Sequence, residues 1–331
     1  MANTKLNVTK IGYLEDNSFN ANYLQLNIKG NNINEVIINV LRRIILEDIP
    51  CAAFDKKGIN ITLNTSVYNN DYMRNRIENL PLLGIETPLD LIQYEKLRKY
   101  TRGLSTYKND DNIEEEEDIE NSFNNILSIY CDIKNKNDVI LDVTSEDVDF
   151  YKGEEKIKSI YEKPVLIIKL KPEEEFNFSA KASLGVGSNN AIFSNVGICC
   201  YEIINDKEFI FKFEPRGQLK SKKILSYACD IIKYRLNLIK EKIEKTAFST
   251  NNNGTIILVN EDHTFGNLIT RGLQEHQNIE FAGYKLENLL IKNINIEYVT
   301  NGGKSINNIF IEVINKYINI YDEFNKMFEK V

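Results

Sequence analysis

Few side chains in this sequence are placed to do chemistry. His263 beside Asp262 could serve as a general acid or base. At the start of a helix, however, that pair reads as a capping and orienting couple. Gly185 and Gly187, in the run Leu184-Gly185-Val186-Gly187-Ser188-Asn189-Asn190-Ala191, could cradle a phosphate. The rest of the dinucleotide pattern and its following helix are missing, so a loop needing positive backbone angles is expected instead. Cys51, Cys131, Cys199, Cys200 and Cys229 contain no C-x-x-C pair, which leaves no way to assemble two metal half-sites. Free thiols in a reducing compartment are the expectation. Arg42 and Arg43 leave one helix side by side, one toward the core edge and one outward. The run Asn112-Ile113-Glu114-Glu115-Glu116-Glu117-Asp118 repels itself and has little to bury, so it reads as a solvated loop. No nucleophile triad, metal cluster or complete phosphate loop emerges.

The elements that carry these residues must therefore be built for something other than catalysis. The chain has 331 residues, 42% hydrophobic and 27% charged, enough for two or three domains with buried cores. A net charge of -7 argues against a surface that binds nucleic acid as a whole. Neither a signal peptide nor a membrane-spanning helix is expected. Abundant Asn, Ile, Lys and Tyr with no Trp suggest an AT-rich coding bias.

Periodicity predicts a helix over Ile33–Ile49, with Ile33, Val36, Ile37, Val40, Leu41, Ile44 and Ile45 as its apolar stripe. Asn32 with Glu35 reads as its cap, and Pro50 ends it. Strands are predicted at Lys5–Ile11, Tyr23–Ile28, Val196–Ile204 and Phe209–Phe213. Residues 51–172 form a candidate inserted domain, with an acidic loop at 108–121 and strands at Ile59–Leu63, Ile126–Ile133, Asp138–Val143 and Val165–Leu170. Asp71–Leu80 reads as a short helix. Two long helices, Ser221–Lys245 and about Ser305–Val331, place apolar residues at alternating steps of four and three. Leu225, Ile232, Leu236 and Ile239 lie on one seam; Phe310, Val313, Tyr317 and Phe324 lie on the other. Such seams predict that the two helices pack on each other.

Asn251–Gly254 reads as a linker, followed by a strand at Ile256–Val259. A second amphipathic helix then presents Phe265, Leu268, Ile269, Gly272, Leu273 and His276 on one face. Gly266 and Gly272 weaken it unless another backbone comes close. Residues Phe281–Lys285 read as a turn into a strand at Leu290–Val299. Within this helix, Asn267-Leu268-Ile269-Thr270-Arg271-Gly272-Leu273 echoes Asn39-Val40-Leu41-Arg42-Arg43-Ile44-Ile45. The echo predicts two related modules joined as an intramolecular pseudo-dimer. The expected fold class is α+β: two dimerisation modules of mostly antiparallel sheet with packed helices, plus the insert. The expected division is 1–50 with 173–248, then 51–172, then 249–331.

The run Asn39–Leu46 to Pro50 resembles the N-terminal helix motif of the alpha-like subunits of multisubunit RNA polymerases, the class of the bacterial alpha subunit and the third-largest subunit of RNA polymerase II. Arg76-Ile77 to Leu80-Pro81-Leu82, Val143–Asp147, Val165–Leu170 into Phe176–Ala182, Gly185–Ala191 and Phe213–Gly217 also fit. Glu261–Leu268 with Glu280–Tyr284 resembles the smaller partner, the eleventh subunit. Both partners in one chain resembles the polymerase subunits of large nucleocytoplasmic DNA viruses. Asn190, Phe193 and Asn195 stand where the family loop usually carries His, Trp and Pro. With only Cys51 and Cys131 in the insert, the cysteine-held metal or iron–sulfur site of some relatives is expected to be absent.

The resemblance implies a non-catalytic platform that anchors the two largest subunits and meets small assembly subunits. It implies no cofactor in this chain, catalytic magnesium in the largest subunit, no sequence-specific DNA contact and no membrane. The implied location is intracellular: a viral factory or virion in host cytoplasm, or otherwise the nucleus. Val40, Leu41, Ile44, Phe265, Leu268, Ile269 and Leu273 would form the internal interface. Asn39, Arg42 and Arg43 would dock a large subunit. The alternatives are a regulatory mimic that binds host polymerase subunits and a small-molecule enzyme using Gly185–Gly187.

Overall fold

The computed structural model describes residues 6–16, 21–84, 94, 127–245, 252–288 and 291–330. The acidic loop at 108–121 lies outside the described residues. The chain opens with β1 (Asn7–Asp16), β2 (Ala21–Lys29), α1 (Glu35–Glu47), β3 (Cys51–Asn64) and α2 (Asn70–Glu78). Strands β4 (Ser128–Lys134), β5 (Leu141–Thr144), β6 (Asp149–Lys152), β7 (Glu155–Ile157), β8 (Leu166–Leu170) and β9 (Glu175–Gly185) follow. Then come β10 (Val196–Asn205), β11 (Glu208–Pro215) and α3 (Ser221–Lys245). The last segment holds β12 (Asn253–Val259), α4 (His263–Gln274), β13 (Ile279–Asn288), β14 (Ile291–Thr300) and α5 (Ile306–Phe328).

The chain forms two compact units. The first comprises Met1–Leu46, Ile198–Glu214 and Ser221–Val331; the second comprises Glu47–Gly197 and Pro215–Lys220. These boundaries differ from the expected cut at 172. Strand β9 runs antiparallel along both β3 and β4, so its hydrogen bonds hold it in the second unit.

The first unit contains two sheet-and-helix modules. One sheet has the order β1-β2-β11-β10 and the other β12-β14-β13. Period-two patterning sets the register in each, because a one-residue slip would expose every apolar side chain. Leu24, Leu26 and Ile28 face Phe213, Phe211 and Phe209 across β2 and β11, and all six are buried. In the other sheet Ile294 and Ile296 of β14 face Leu258 and Ile256 of β12. Residues Phe281–Lys285 are not a turn: they lie within β13, after a register shift between Ile279 and Phe281. Asn253 and Gly254 likewise belong to β12 rather than to a linker. A Cβ on Gly254 would meet the Tyr298 hydroxyl oxygen at 2.5 Å, so that glycine permits close packing inside the sheet.

The second unit is a five-stranded sheet, β3-β9-β4-β6-β7, with a β5-β8 pair beside it. Its core includes Phe54, Phe176, Phe178, Met73 and Ile77. Strand β3 is much longer than the expected Ile59–Leu63. The charged run Asp55-Lys56-Lys57 masks it in sequence, and there the register against β9 shifts between Phe54 and Ile59. A Cβ on Gly58 would lie 2.5 Å from the Lys181 carbonyl oxygen, which explains the glycine at this bulge. The short strands β6 and β7 were not expected, and their burial patterns carry little alternation to reveal them.

Candidate functional site

Helix α1 begins later than its apolar pattern suggests. Asn34, rather than Asn32, caps it: its side-chain oxygen accepts from the Ile37 N–H at 3.1 Å. Its buried stripe is Ile37, Ile38, Val40, Leu41, Ile44 and Ile45, so Ile38 joins the core while Val36 is half-buried. Helix α4 starts in the same way, with the Asp262 carboxylate accepting from the Thr264 N–H at 2.9 Å. The echo aligns Asn34 with Asp262, so both helices are capped at the same position of the repeat.

The two helices lie head to tail. The Asn34 side chain at the start of α1 donates to Glu275 just beyond the end of α4, at 3.4 Å. At the other end, a cleft of about 410 Å³ is lined by Val36, Asn39, Val40, Arg42 and Arg43 from α1. Across it stand Asp262, His263, Thr264 and Asn267, with Tyr284. Both echo asparagines therefore border one cavity. Arg42 Nε donates to Asn39 Oδ1 at 2.9 Å, which holds this guanidinium along the helix edge. The His263 ring meets Tyr284 edge-on, with centroids 5.7 Å apart.

Val40, Leu41, Ile44, Phe265, Leu268, Ile269 and Leu273 are each at most 1% exposed. Asn39, Arg42 and Arg43 are half-buried on the cleft rim. Gly266 and Gly272 do permit close packing, but of side chains rather than backbone. A Cβ on Gly266 would meet Ile294 at 2.9 Å, and one on Gly272 would meet Val313 at 2.4 Å. The glycines thus seat α4 on its own sheet and against α5.

The seam helices α3 and α5 pack on each other in antiparallel fashion. Lys233 reaches Asp322 at 2.9 Å, Lys240 reaches Asn315 at 3.1 Å, and Asn325 reaches Asp230 at 3.2 Å. Leu225, Ile232, Leu236, Ile239, Phe310, Val313, Tyr317 and Phe324 are all buried along them. The buried face is wider than a two-position seam, since Ile224, Ile231, Ile309, Ile314 and Tyr321 also lie inside. Phe328 is buried at the end of α5, while its neighbour Met327 is half-buried.

Sequence reasoning missed the polar groups that cross between the modules. Arg235 of α3 is 1% exposed, pairs with Glu261 at 2.5 Å, and lies over the Phe265 ring at 3.9 Å. Breaking such a buried pair costs about 3–5 kcal/mol, although its net contribution beside an apolar pair is small. The signal was present: Arg235 occupies a helical step among Ile231, Ile232, Leu236 and Ile239. Tyr321 of α5 donates its hydroxyl to the Ile37 carbonyl of α1 at 3.0 Å. Burial pushes this phenol well up, so it remains a donor.

Within the second unit, the glycine loop has a structural role. Neither Gly185 nor Gly187 adopts the positive φ expected of them. A Cβ on Gly185 would come within 2.6 Å of the Phe193 ring, so glycine is needed for that approach. The loop amides already donate to protein: Ser188 N–H to the Glu47 carbonyl and Asn189 N–H to that of Val186. Asn190 caps the short 3-10 turn Ala191–Phe193, and Asn195 donates to the Ile49 carbonyl at 3.1 Å. Burial pushes the Cys51 and Cys131 thiols up to about 12, against the thiolate form a metal ligand or nucleophile needs. Among the described residues, no group of three His, Cys, Asp or Glu side chains could hold a metal ion.

Two sheet-and-helix modules, paired through capped helices and long seam helices, define a dimerisation fold closed within one chain. The chain belongs to the family of the RNA polymerase Rpb3/Rpb11 dimerisation domain, whose description matches residues 31–236 and again residues 253–327. It is 28% identical over 290 residues to a protein of Acanthamoeba polyphaga mimivirus named as a DNA directed RNA polymerase subunit, covering 83% of this chain and 81% of that one. It is 34% identical over 85 residues to DNA-directed RNA polymerase II subunit rpb11 of Dictyostelium discoideum, covering 20% and 71% respectively. It is 28% identical over 195 residues to DNA-directed RNA polymerase subunit Rpo3 of Methanobrevibacter smithii, covering 56% and 60%. The expected class, an alpha-like RNA polymerase subunit of viral type with both modules in one chain, is the class these matches show. The chain is accordingly an RNA polymerase assembly subunit that partners other polymerase subunits. No described helix is long and apolar enough to cross a membrane.

Proposed function

We propose that this chain is the platform on which the two largest subunits of a DNA-directed RNA polymerase are anchored. The observation that carries this reading is the cleft between α1 and α4. There the apolar faces of both helices are consumed inside the unit, while Asn39, Arg42 and Arg43 remain on the rim. Half-buried arginines offer planar, multiply donating groups to a protein partner. The catalytic magnesium belongs to the largest subunit, and this chain supplies no reacting group and no cofactor site. Small assembly subunits bind it as well, and it makes no sequence-specific contact with DNA. It works wherever that polymerase works: in a viral factory or virion in host cytoplasm, or in the nucleus of a cellular host.

The test is co-purification from the native source. Tagged wild-type chain should carry both largest subunits, and Arg42→Glu with Arg43→Glu should lose them while the chain stays folded. Full recovery of the assembly with the double variant would remove the rim from the docking surface. Recovery of host subunits alone would replace the platform with a regulatory mimic.

A further inference from the structure

The two modules differ at two aligned buried positions: Arg235 stands where the second module has Ile320, and Glu261 where the first has Ile33. We propose that Arg235 and Glu261 form a discriminator: they make the first module accept the second and reject a copy of itself. The proposal rests on how the modules pair, independently of what docks on the cleft.

The repeat register supplies the comparison. Asn39 aligns with Asn267 and the caps Asn34 and Asp262 align, which sets Ile33 at the position of Glu261 and Ile37 at that of Phe265. Along the seam helices, the buried run Ile232, Arg235, Leu236, Ile239 has the pattern of Tyr317, Ile320, Tyr321, Phe324. Arg235 therefore corresponds to Ile320. The contacts between the seam helices fit this register: Lys233 meets Asp322, Asp230 meets Asn325 and Lys240 meets Asn315, which sets Arg235 opposite Ile320 midway along the pair.

In the observed pairing the cation meets a carboxylate, and the symmetry-related position holds Ile320 and Ile33, both buried. Two first modules paired in the same way would set each Arg235 against an isoleucine. Two second modules would set each Glu261 against an isoleucine. Either arrangement buries two charges without a counter-ion, while the mixed one buries none. An uncompensated buried charge weakens pairing roughly a hundredfold or more. Homotypic pairing carries that penalty twice, so even a modest stabilisation by the mixed ion pair gives strong selection. In a chain carrying both modules, first–first and second–second contacts would alternate and link copies into open assemblies, and the charge penalty disfavours both contacts.

The experiment gives the first module the missing carboxylate in the full-length chain. Light scattering over a concentration series should show wild type as a monomer and Ile33→Glu forming dimers. Ile33→Gln, equally polar but uncharged, should stay monomeric. A monomeric Ile33→Glu chain, or equal dimerisation by the glutamine variant, overturns the proposal. Charge exchange provides the second arm. Glu261→Arg should lower the melting temperature, and adding Arg235→Glu should recover most of the loss. No recovery in the double variant also overturns it.

Discussion

Replacing Gly272 by alanine sets two effects of opposite sign against each other. In a helix interior, alanine is favoured over glycine by about 1 kcal/mol, so an exposed site would be stabilised. Gly272 is not exposed. The added methyl would stand 2.4 Å from Val313 Cγ1 and 2.8 Å from the Tyr317 ring, well inside carbon contact distance. Val313 is β-branched and has little rotamer freedom on its helix, and Tyr317 is 1% exposed with nowhere to swing. Overpacking of this kind typically costs about 1–3 kcal/mol, and a clash with two stiff neighbours belongs in the upper part of that range. The net expectation for Gly272→Ala is a loss of about 1–2 kcal/mol. In a folding unit of this size that lowers the melting midpoint by roughly 2–4 °C per kcal/mol. Gly266→Ala is the internal control. Its new methyl would meet Ile294 at 2.9 Å, a smaller intrusion that the propensity gain nearly offsets. Thermal unfolding of the full chain, followed by circular dichroism, ranks the two variants. A Gly272→Ala chain as stable as wild type, or more so, would refute the claim that this glycine exists to seat α4 against α5.

Leu268→Asp places a charge where the side chain is 0% exposed, so a loss of about 3–5 kcal/mol and failure to recover the polymerase assembly are expected in denaturation and pull-down measurements. Alkylation followed by mass spectrometry should label half-buried Cys200 before Cys51, Cys131, Cys199 and Cys229, whose thiols burial pushes up. Phe193→Ala removes the ring packed with Cys51 and Ala53, so Cys51 should become reactive and the chain should lose about 3 kcal/mol. Hydrogen bonds from Asn27 and Lys29 hold Glu208 below its usual range, and those from Lys304 and His276 do the same for Glu312. Their stabilisation is present above the unfolded carboxylate value and disappears as pH falls through the lower folded one, so denaturation midpoints below about pH 4.5 should drop less steeply in Glu208→Gln.

What the sequence disclosed follows from how far each signal extends along the chain. Helices α3 and α5 repeat one apolar spacing over many turns, so their existence and mutual packing could be read directly. The caps and apolar stripes of α1 and α4 are local signals, and the echo between them located the pseudo-dimer. Strand β3 was underread because its charged bulge interrupts the alternation, and only pairing with the distant β9 restores it. The sequence suggests positive backbone angles at Gly185, a linker at Gly254 and a close backbone at Gly266 and Gly272, and none of these is the reason for the glycine. The reason at each is a side chain far along the chain or across the fold, such as Val313 over Gly272.

Arg235 shows the same limit where it bears most on specificity. In the sequence it is one polar residue on an apolar helical face, which periodicity treats as noise. Its meaning depends on Glu261, which is close in space only once α3 and the start of α4 are brought together. An apolar stripe establishes that a surface is buried but names no partner, since one apolar face accepts another with little discrimination. A buried charge accepts few neighbours, because an uncompensated ion is far costlier than a mismatched methyl group. The polar exceptions in the two stripes therefore carry the pairing information, and the apolar positions carry most of the pairing strength. Substitutions at Leu236 or Ile239 should weaken the pseudo-dimer without changing what it pairs with, whereas changes at Ile33, Arg235 or Glu261 should alter the choice itself.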